Sequence, residues 1–252
     1  MSRALITQGP RGSGDNRPGA GVDTGVDLAG IALPSPILTA SGCAAAGREL
    51  DAFVDITTLG AVVTKSIMMR PRAGRATPRM SETPSGMLNS IGLQGPGVES
   101  FIENDLAWLV QRGARTVVSI AGESVDEYAK LAAKLRPVEG ITAIEVNISC
   151  PNVADRGQVF ACRPESAAQV VQAVRRGSDA RTPIFAKLSP DVTDIVEIAD
   201  SVIKAGATGL SLINTLLGMV IDTTTMRPAL AGVTGGLSGP AIRPVAVRCV
   251  WQ

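Results

Sequence analysis

The sequence predicts an α/β protein of the (β/α)8 TIM-barrel type, incomplete, with about six βα units and strands seven and eight missing. Three observations point there. Short apolar runs alternate with amphipathic helical stretches, which implies a parallel sheet covered by helices. Most of the runs are continuous rather than alternating, as expected for strands buried on both faces. Polar or special residues close five of the six candidate strands, and reactive groups at many strand ends suit a ring of loops around one axis. An open sheet would instead concentrate them at a single switch point.

The strand candidates are Ile37–Ala40, Ala61–Lys65, Thr116–Ala121, Ala143–Ile148, Ile184–Lys187 and Gly209–Asn214. Between them, Phe101, Leu106, Leu109 and Val110 make one apolar helical stripe, closed by Gly113 as a C-terminal cap. Ser124 with Glu127 forms a capping box ahead of the next helix. Pro164-Glu165-Ser166 opens a helix that ends near Gly177. Ile195, Ile198 and Val202 mark another, closed by Gly206, and a last one starts at Ala241. Residues 1–21, rich in Gly, Pro and Arg, read as a disordered leader, so the folded unit is 22–252. Two long insertions, 66–97 and 216–240, follow the second and sixth strands, and long loops on such a scaffold usually carry function. The arginines at 70, 72, 75 and 79 in the first insertion read as a solvated face with some partner contact.

Composition narrows the chemistry. Hydrophobic residues make up 45% of the 252 and aromatics only 3%, so the core must be aliphatic. Lys plus Arg total 24 against 23 acidic residues, and that balance argues against nucleic acid or an anionic membrane as partner. Histidine is absent, which removes Ser-His-Asp and Cys-His catalysis and histidine metal sites. Proton transfer must then use Cys, Lys, Asp, Glu or Tyr128. Cys43, Cys150, Cys162 and Cys249 show no metal-ligand spacing, so no metal site is expected. There is no apolar signal region and no run of membrane-spanning length, which with free thiols suggests the cytoplasm.

The segment Asn147-Ile148-Ser149-Cys150-Pro151-Asn152 sets a thiol between two carboxamides at a strand's C-terminal end. The proline holds Cys150 in an extended loop, where a thiol of lowered pKa can serve as base or nucleophile. The same placement also fits a buried structural cysteine. Lys65 and Lys187 end strands and fit either a site or a reach to solvent. Lone asparagines at strand ends are most often turn residues, but Asn89, Asn147, Asn152 and Asn214 share one rim.

These pieces in order resemble the class 1 dihydroorotate dehydrogenases, type 1B most closely. The markers are Thr39-Ala-Ser-Gly42, Val63-Thr-Lys-Ser66, Asn89-Ser-Ile-Gly-Leu93, Asn147-Ile-Ser-Cys-Pro-Asn152, Lys187-Leu-Ser-Pro190, Ile213-Asn-Thr215 and Thr234-Gly-Gly-Leu-Ser-Gly-Pro-Ala-Ile242. The resemblance implies a barrel that binds FMN at its strand C-termini and oxidises dihydroorotate to orotate in pyrimidine biosynthesis. It implies Cys150 as the base, since class 1 uses cysteine where the membrane-bound type uses serine. It implies substrate contacts from Lys65, Asn89, Ile91, Gly92, Leu93, Asn147, Asn152, Asn214 and Thr215. It implies FMN contacts from Ala40, Ser41, Gly42, Lys65, Ser66, Asn147, Lys187, Ile213 and Gly239. The family's phosphate loops belong to strands seven and eight. Partners implied are a homodimer core and, in a heterotetramer, a second subunit whose FAD and 2Fe-2S cluster pass electrons to NAD. Two other readings stay open: a dihydropyrimidine dehydrogenase-like flavoprotein acting on uracil or thymine, and an inactive barrel or assembly subunit.

Overall fold

A computed structural model describes residues 22–148, 160 and 163–252. Cys150, Asn152, Cys162 and the leader at 1–21 lie outside the described residues. In chain order the strands are β1 (Val26–Leu28), β2 (Ile31–Leu33), β3 (Val62–Val63), β4 (Met80–Thr83), β5 (Gly86–Asn89), β6 (Thr116–Ile120), β7 (Ile141–Asn147), β8 (Ile184–Lys187), β9 (Gly209–Ser211), β10 (Leu216–Gly218), β11 (Ile221–Asp222), β12 (Arg227–Pro228) and β13 (Gly235–Ser238). The helices are α1 (Arg48–Asp51), α2 (Val98–Ser100), α3 (Ala107–Arg112), α4 (Val125–Leu135), α5 (Pro164–Gly177), α6 (Ile195–Lys204) and α7 (Arg243–Trp251).

The central sheet is parallel, in the order β3-β6-β7-β8-β9. Each strand lies beside its sequence neighbour in that set, as in one arc of a barrel wall. The expected first strand at Ile37–Ala40 is reduced to a parallel bridge between Leu38 and Ala61. Its ladder is completed by a side chain. Thr39 Oγ1 accepts from Val63 N at 2.8 Å and donates to Val63 O at 3.2 Å.

The outer face of the arc packs on helices. Val118, Ile144, Val146, Ile184 and Ala186 meet Leu131 and Leu135 of α4, Val170 and Val174 of α5, and Ile198 and Val202 of α6. Burying each such aliphatic side chain stabilises the fold by roughly 1.5–3 kcal/mol. The helix starts are built as the sequence implies. Ser124 accepts from Glu127 N at 3.2 Å, and the Glu127 carboxylate accepts from the Glu123 amide. Asp194 accepts from the amides of Val196 and Glu197. Gly113 ends α3 at φ 77°, in the left-handed region.

One stripe differs from expectation. A wide turn of π-helix spans Phe101–Leu106 between α2 and α3, so residues five apart, Phe101 and Leu106, are both buried. The extra residue per turn rotates the remainder of the helix about its axis. Leu109 stays in the core while Val110, assigned to the same stripe, is 47% exposed.

Neither insertion is an unstructured loop. The first forms the hairpin β4–β5, the second supplies β10 and β13, and together they make one antiparallel sheet in the order β10-β13-β5-β4. Its central pairing joins Asn89 to Gly236 and Leu88 to Leu237. A Cβ at Gly236 would sit 2.1 Å from Thr215 Oγ1, so only glycine lets this sheet close down on the end of the sixth strand. A further element, the β1–β2 hairpin, brings Ile31 against the opposite end of the arc. Among the described residues no helix is long and apolar enough to cross a membrane.

Candidate active site

The inner face of the arc is layered. Its lower level is apolar and dry, built from Ala61, Val63, Val117, Ala143 and Phe185. Two residues further along each strand the side chains turn polar. Ser119 pairs in register with Glu145, and Lys187 with Asn147 and with Ser211. The strand period of two places all of these on one face, at the C-terminal end of the arc.

This upper level is knit by hydrogen bonds. Glu145 is only 4% exposed and accepts from Ser119 Oγ at 2.9 Å and from Ser211 Oγ at 2.8 Å. Lys187, 8% exposed, lies 3.8 Å from the Glu145 carboxylate. Charge partner and hydroxyls together answer the desolvation that burial imposes on that carboxylate. Ser119 Oγ is 2.9 Å from Ser66 Oγ, which is 3.3 Å from Ser41 Oγ and accepts from Asn147 Nδ2 at 3.0 Å. Tyr128, buried on α4, donates to the Asn147 backbone carbonyl at 2.7 Å and fixes the strand end from the helix side. Lys187 is thus a buried ion-pair member, and the reading of a lysine reaching solvent falls away.

Above this level lies a cavity of about 200 Å³, roofed by the antiparallel sheet. Lys65, Asn89, Ile91, Gly92, Leu93, Asn147, Asn214 and Thr215, eight of the nine residues expected at a substrate, all line it. The ninth, Asn152, lies outside the described residues, as does Cys150. Asn89 is set by its amide, which donates to Gly236 O at 3.3 Å. Asp191 lines the cavity and ties floor to roof, its carboxylate accepting from Leu217 N at 3.1 Å.

The residues expected at a cofactor divide. Ser41, Ser66, Asn147 and Lys187 belong to the polar level just described. Ala40, Ser41 and Gly42 form a turn beside Lys65, closed by Cys43 N donating to Ala40 O at 3.1 Å. A Cβ on Gly42 would lie 3.6 Å from Lys65 Nζ. Its lack of a side chain keeps that approach to the ammonium open. Ile213 packs against the helix-side core. Gly239 does not line the cavity; its close approach is to Gly86, whose Cα would be 3.0 Å from an added Cβ.

Of the four arginines expected on a solvated face, Arg70 is exposed, while Arg72, Arg75 and Arg79 are half-buried and act as a clamp. Arg72 donates to Gly92 O at 3.1 Å, Arg79 to Gln94 Oε1 at 2.6 Å, and Arg75 to Ser90 Oγ at 3.3 Å. Together they hold the Asn89–Leu93 loop, and Arg75 itself lines the cavity. Glu145, Ser119, Ser211, Arg75 and Asp191 were missed by the sequence reading. Glu145 had a signal: it is the one charged residue in an apolar strand run, two positions before Asn147. Cys43 is exposed and Cys249 buried, both as free thiols. Among the described residues, no three His, Cys, Asp or Glu side chains group as metal ligands.

The dihydroorotate dehydrogenase family profile matches residues 24–252. The chain belongs to the dihydroorotate dehydrogenase family. It is 53% identical over 231 residues to the dihydroorotate dehydrogenase B (NAD(+)) catalytic subunit of Desulforudis audaxviator, covering 92% of this chain and 75% of that one. Catalytic subunits of the same name are 49% identical in Geotalea daltonii and 51% identical in Alkaliphilus oremlandii, over 91% and 90% of this chain and 75% and 74% of theirs. Dihydroorotate dehydrogenases are oxidoreductases of the TIM-barrel class, and the parallel arc with its helices is part of such a wall.

Proposed function

We propose that this chain carries out the FMN-dependent oxidation of (S)-dihydroorotate to orotate in pyrimidine (UMP) biosynthesis. The observation that supports it is the convergence of Lys65, Asn89, Asn147, Asn214 and Thr215 on one small cavity at the strand ends. Dihydroorotate is a ring of alternating amide N–H and C=O groups with one carboxylate. Carboxamides match such an edge with paired donors and acceptors, and the Lys65 and Arg75 cations suit the carboxylate.

In this reading Asn89, Asn147, Asn152 and Asn214, with Thr215 and the Ile91–Leu93 backbone, hold the ring, and the antiparallel roof excludes water. Cys150 takes the proton from C5. A thiol of ordinary pKa near 8.5 is mostly protonated at neutral pH, so the rate rises into the alkaline range unless its surroundings stabilise the thiolate. FMN, when bound, supplies the hydride acceptor at N5 for the hydrogen leaving C6. Ala40, Ser41, Gly42, Lys65, Ser66, Asn147, Lys187, Ile213 and Gly239 are the residues we assign to it. The bare Gly42 turn beside an ammonium, with the half-buried Ser41 and buried Ser66 hydroxyls, suits a flat heterocycle that gains negative charge on reduction.

The arc fits a (β/α)8 barrel of which six units lie in residues 22–252, strands seven and eight carrying the phosphate loops. We assign the chain to the cytoplasm, as a homodimer core that passes electrons to NAD through a partner subunit bearing FAD and a 2Fe-2S cluster. The words "NAD(+)" and "catalytic subunit" in the relatives' names support that arrangement.

The test is steady-state turnover of dihydroorotate against uracil by the purified protein supplied with FMN, with visible absorbance read in parallel. Dihydroorotate turnover with a flavin spectrum, lost in Cys150→Ala, is the expected result. Turnover of uracil alone, or a folded protein that takes up no FMN, overturns the assignment.

A further inference from the structure

We propose that Glu145 is a positioning residue whose buried carboxylate fixes the direction of a serine relay ending on Asn147, and so decides which edge of that carboxamide faces the cavity. Its effect on ligand binding rests on the dihydroorotate reading; the relay itself does not.

An ionised carboxylate can only accept hydrogen bonds. Both oxygens of Glu145 are engaged by hydroxyls, Ser119 on one and Ser211 on the other. A serine has a single proton to give. Ser119 spends its proton on Glu145, so in the 2.9 Å contact between Ser119 and Ser66 the donor must be Ser66. Ser66 then has only lone pairs for its remaining neighbours. It accepts from Asn147 Nδ2 at 3.0 Å, and Ser41 donates across the 3.3 Å contact at the rim. Only the nitrogen end of the Asn147 amide can satisfy Ser66 in this state. The amide is therefore held with its NH2 toward the relay and its carbonyl oxygen turned away from it, on a residue that lines the cavity. A ligand N–H is what that edge recognises.

Burial makes this arrangement binding. Ser66, Ser119 and Glu145 are 2%, 0% and 4% exposed, so water does not offer substitute partners. Lys187, 3.8 Å away, is the charge partner of that carboxylate. A glutamine at position 145 keeps the shape but can donate as well as accept. The relay then loses its fixed sense, and Ser66 no longer demands the nitrogen end of the Asn147 amide.

Two near-isosteric variants cut the relay at different points. Glu145→Gln removes the obligate acceptor. Ser119→Ala removes the second link but leaves Glu145 with Lys187 and Ser211. Ser211→Ala, which touches Glu145 off the relay, serves as the control. The first readout is hydrogen exchange of the Asn147 side-chain amide in ligand-free, 15N-asparagine-labelled protein. Exchange is expected to be about tenfold faster in both relay variants, the worth of one buried hydrogen bond, and unchanged in Ser211→Ala. The second is orotate affinity in FMN-loaded protein. It should fall about tenfold in both, with KM for dihydroorotate rising in parallel and kcat within about twofold of wild type. Unchanged amide exchange in both relay variants overturns the proposal. Faster exchange with unaltered orotate affinity overturns its consequence for binding. If the wild type takes up neither FMN nor orotate, the dihydroorotate reading fails while amide exchange still decides the relay.

Discussion

The lower and upper halves of the barrel's inner face are built by the same strands and differ in nearly every physical respect. Ala61, Val63, Val117, Ala143 and Phe185 below are apolar and pack together, with Leu38 and with Ile31 of the β1–β2 hairpin. Two residues along each strand stand Lys65, Ser119, Glu145 and Lys187, the last three linked by charge and hydrogen bonds. Burial in the lower half lowers the free energy of the fold. In the upper half it costs free energy that hydrogen bonds and an ion pair offset. Stability and chemistry are separated by about 7 Å of strand, which is why polar residues can be held dry at the mouth without loosening the wall.

The strongest way to break the contrast is to leave the upper half with an unanswered charge. Glu145→Ala should lower stability in urea unfolding by about 3 kcal/mol, because it removes the carboxylate beside buried Lys187 and the acceptor of the Ser119 and Ser211 hydroxyls. Replacing both charges, as Glu145→Leu with Lys187→Met, should return most of that stability while FMN uptake, read by visible absorbance, is lost. Such a result would identify the pair as present for the site and not for the fold. In the lower half the expectation reverses. Phe185→Ala should cost about 3–4 kcal/mol through the cavity it opens, with the orotate affinity of the folded fraction close to wild type.

A smaller effect tests the link between helix layer and mouth. Tyr128→Phe removes the hydroxyl that holds the Asn147 carbonyl and should cost about 1 kcal/mol, with a measurable rise in KM for dihydroorotate. The smallest lies far from the site, on the outside of the molecule. The Arg112 guanidinium bonded to Asp51 holds that carboxyl below the ordinary aspartate range, with Ile56 N adding to the effect against some desolvation. A carboxyl lowered in the folded state stabilises above its unfolded pKa, and that contribution is lost as pH falls through the lowered value. Thermal melts of Arg112→Gln should therefore fall below wild type at neutral pH and converge with it in acid below the ordinary aspartate pKa.

Much of this architecture was legible in the sequence, for physical reasons that differ by element. The runs at Thr116–Ala121, Ala143–Ile148 and Ile184–Lys187 are strands because both faces are buried, so their composition alone marks them. Helix starts at Ser124 and Pro164 were legible because capping is local chemistry. Val110 was misplaced because the π turn at Phe101–Leu106 changes the helical period, and no residue type announces such a turn. The roof was invisible because its strands pair across the whole chain, and register between β5 and β13 has no local signature. Glu145 was passed over because an apolar run hides a single charge, although its alternation with Asn147 placed it on the inner face. The sequence placed Asn89, Asn147 and Asn214 on one rim, but that Asn89 reaches it from the roof strand β5 had no local signal.

The bond from Asn89 to Gly236 spans 147 positions of sequence, and the sheet it belongs to covers the cavity. Wall strands β6 to β9 each need only the strand before them. On a ribosome that adds about 5–20 residues per second, the last wall strand is made about 1–5 s before the roof has both its halves. Until then Asn89 and its loop are held only by the β4–β5 hairpin and the arginine clamp. The polar strand ends of the wall are thus completed by residues made before them and covered by residues made after them.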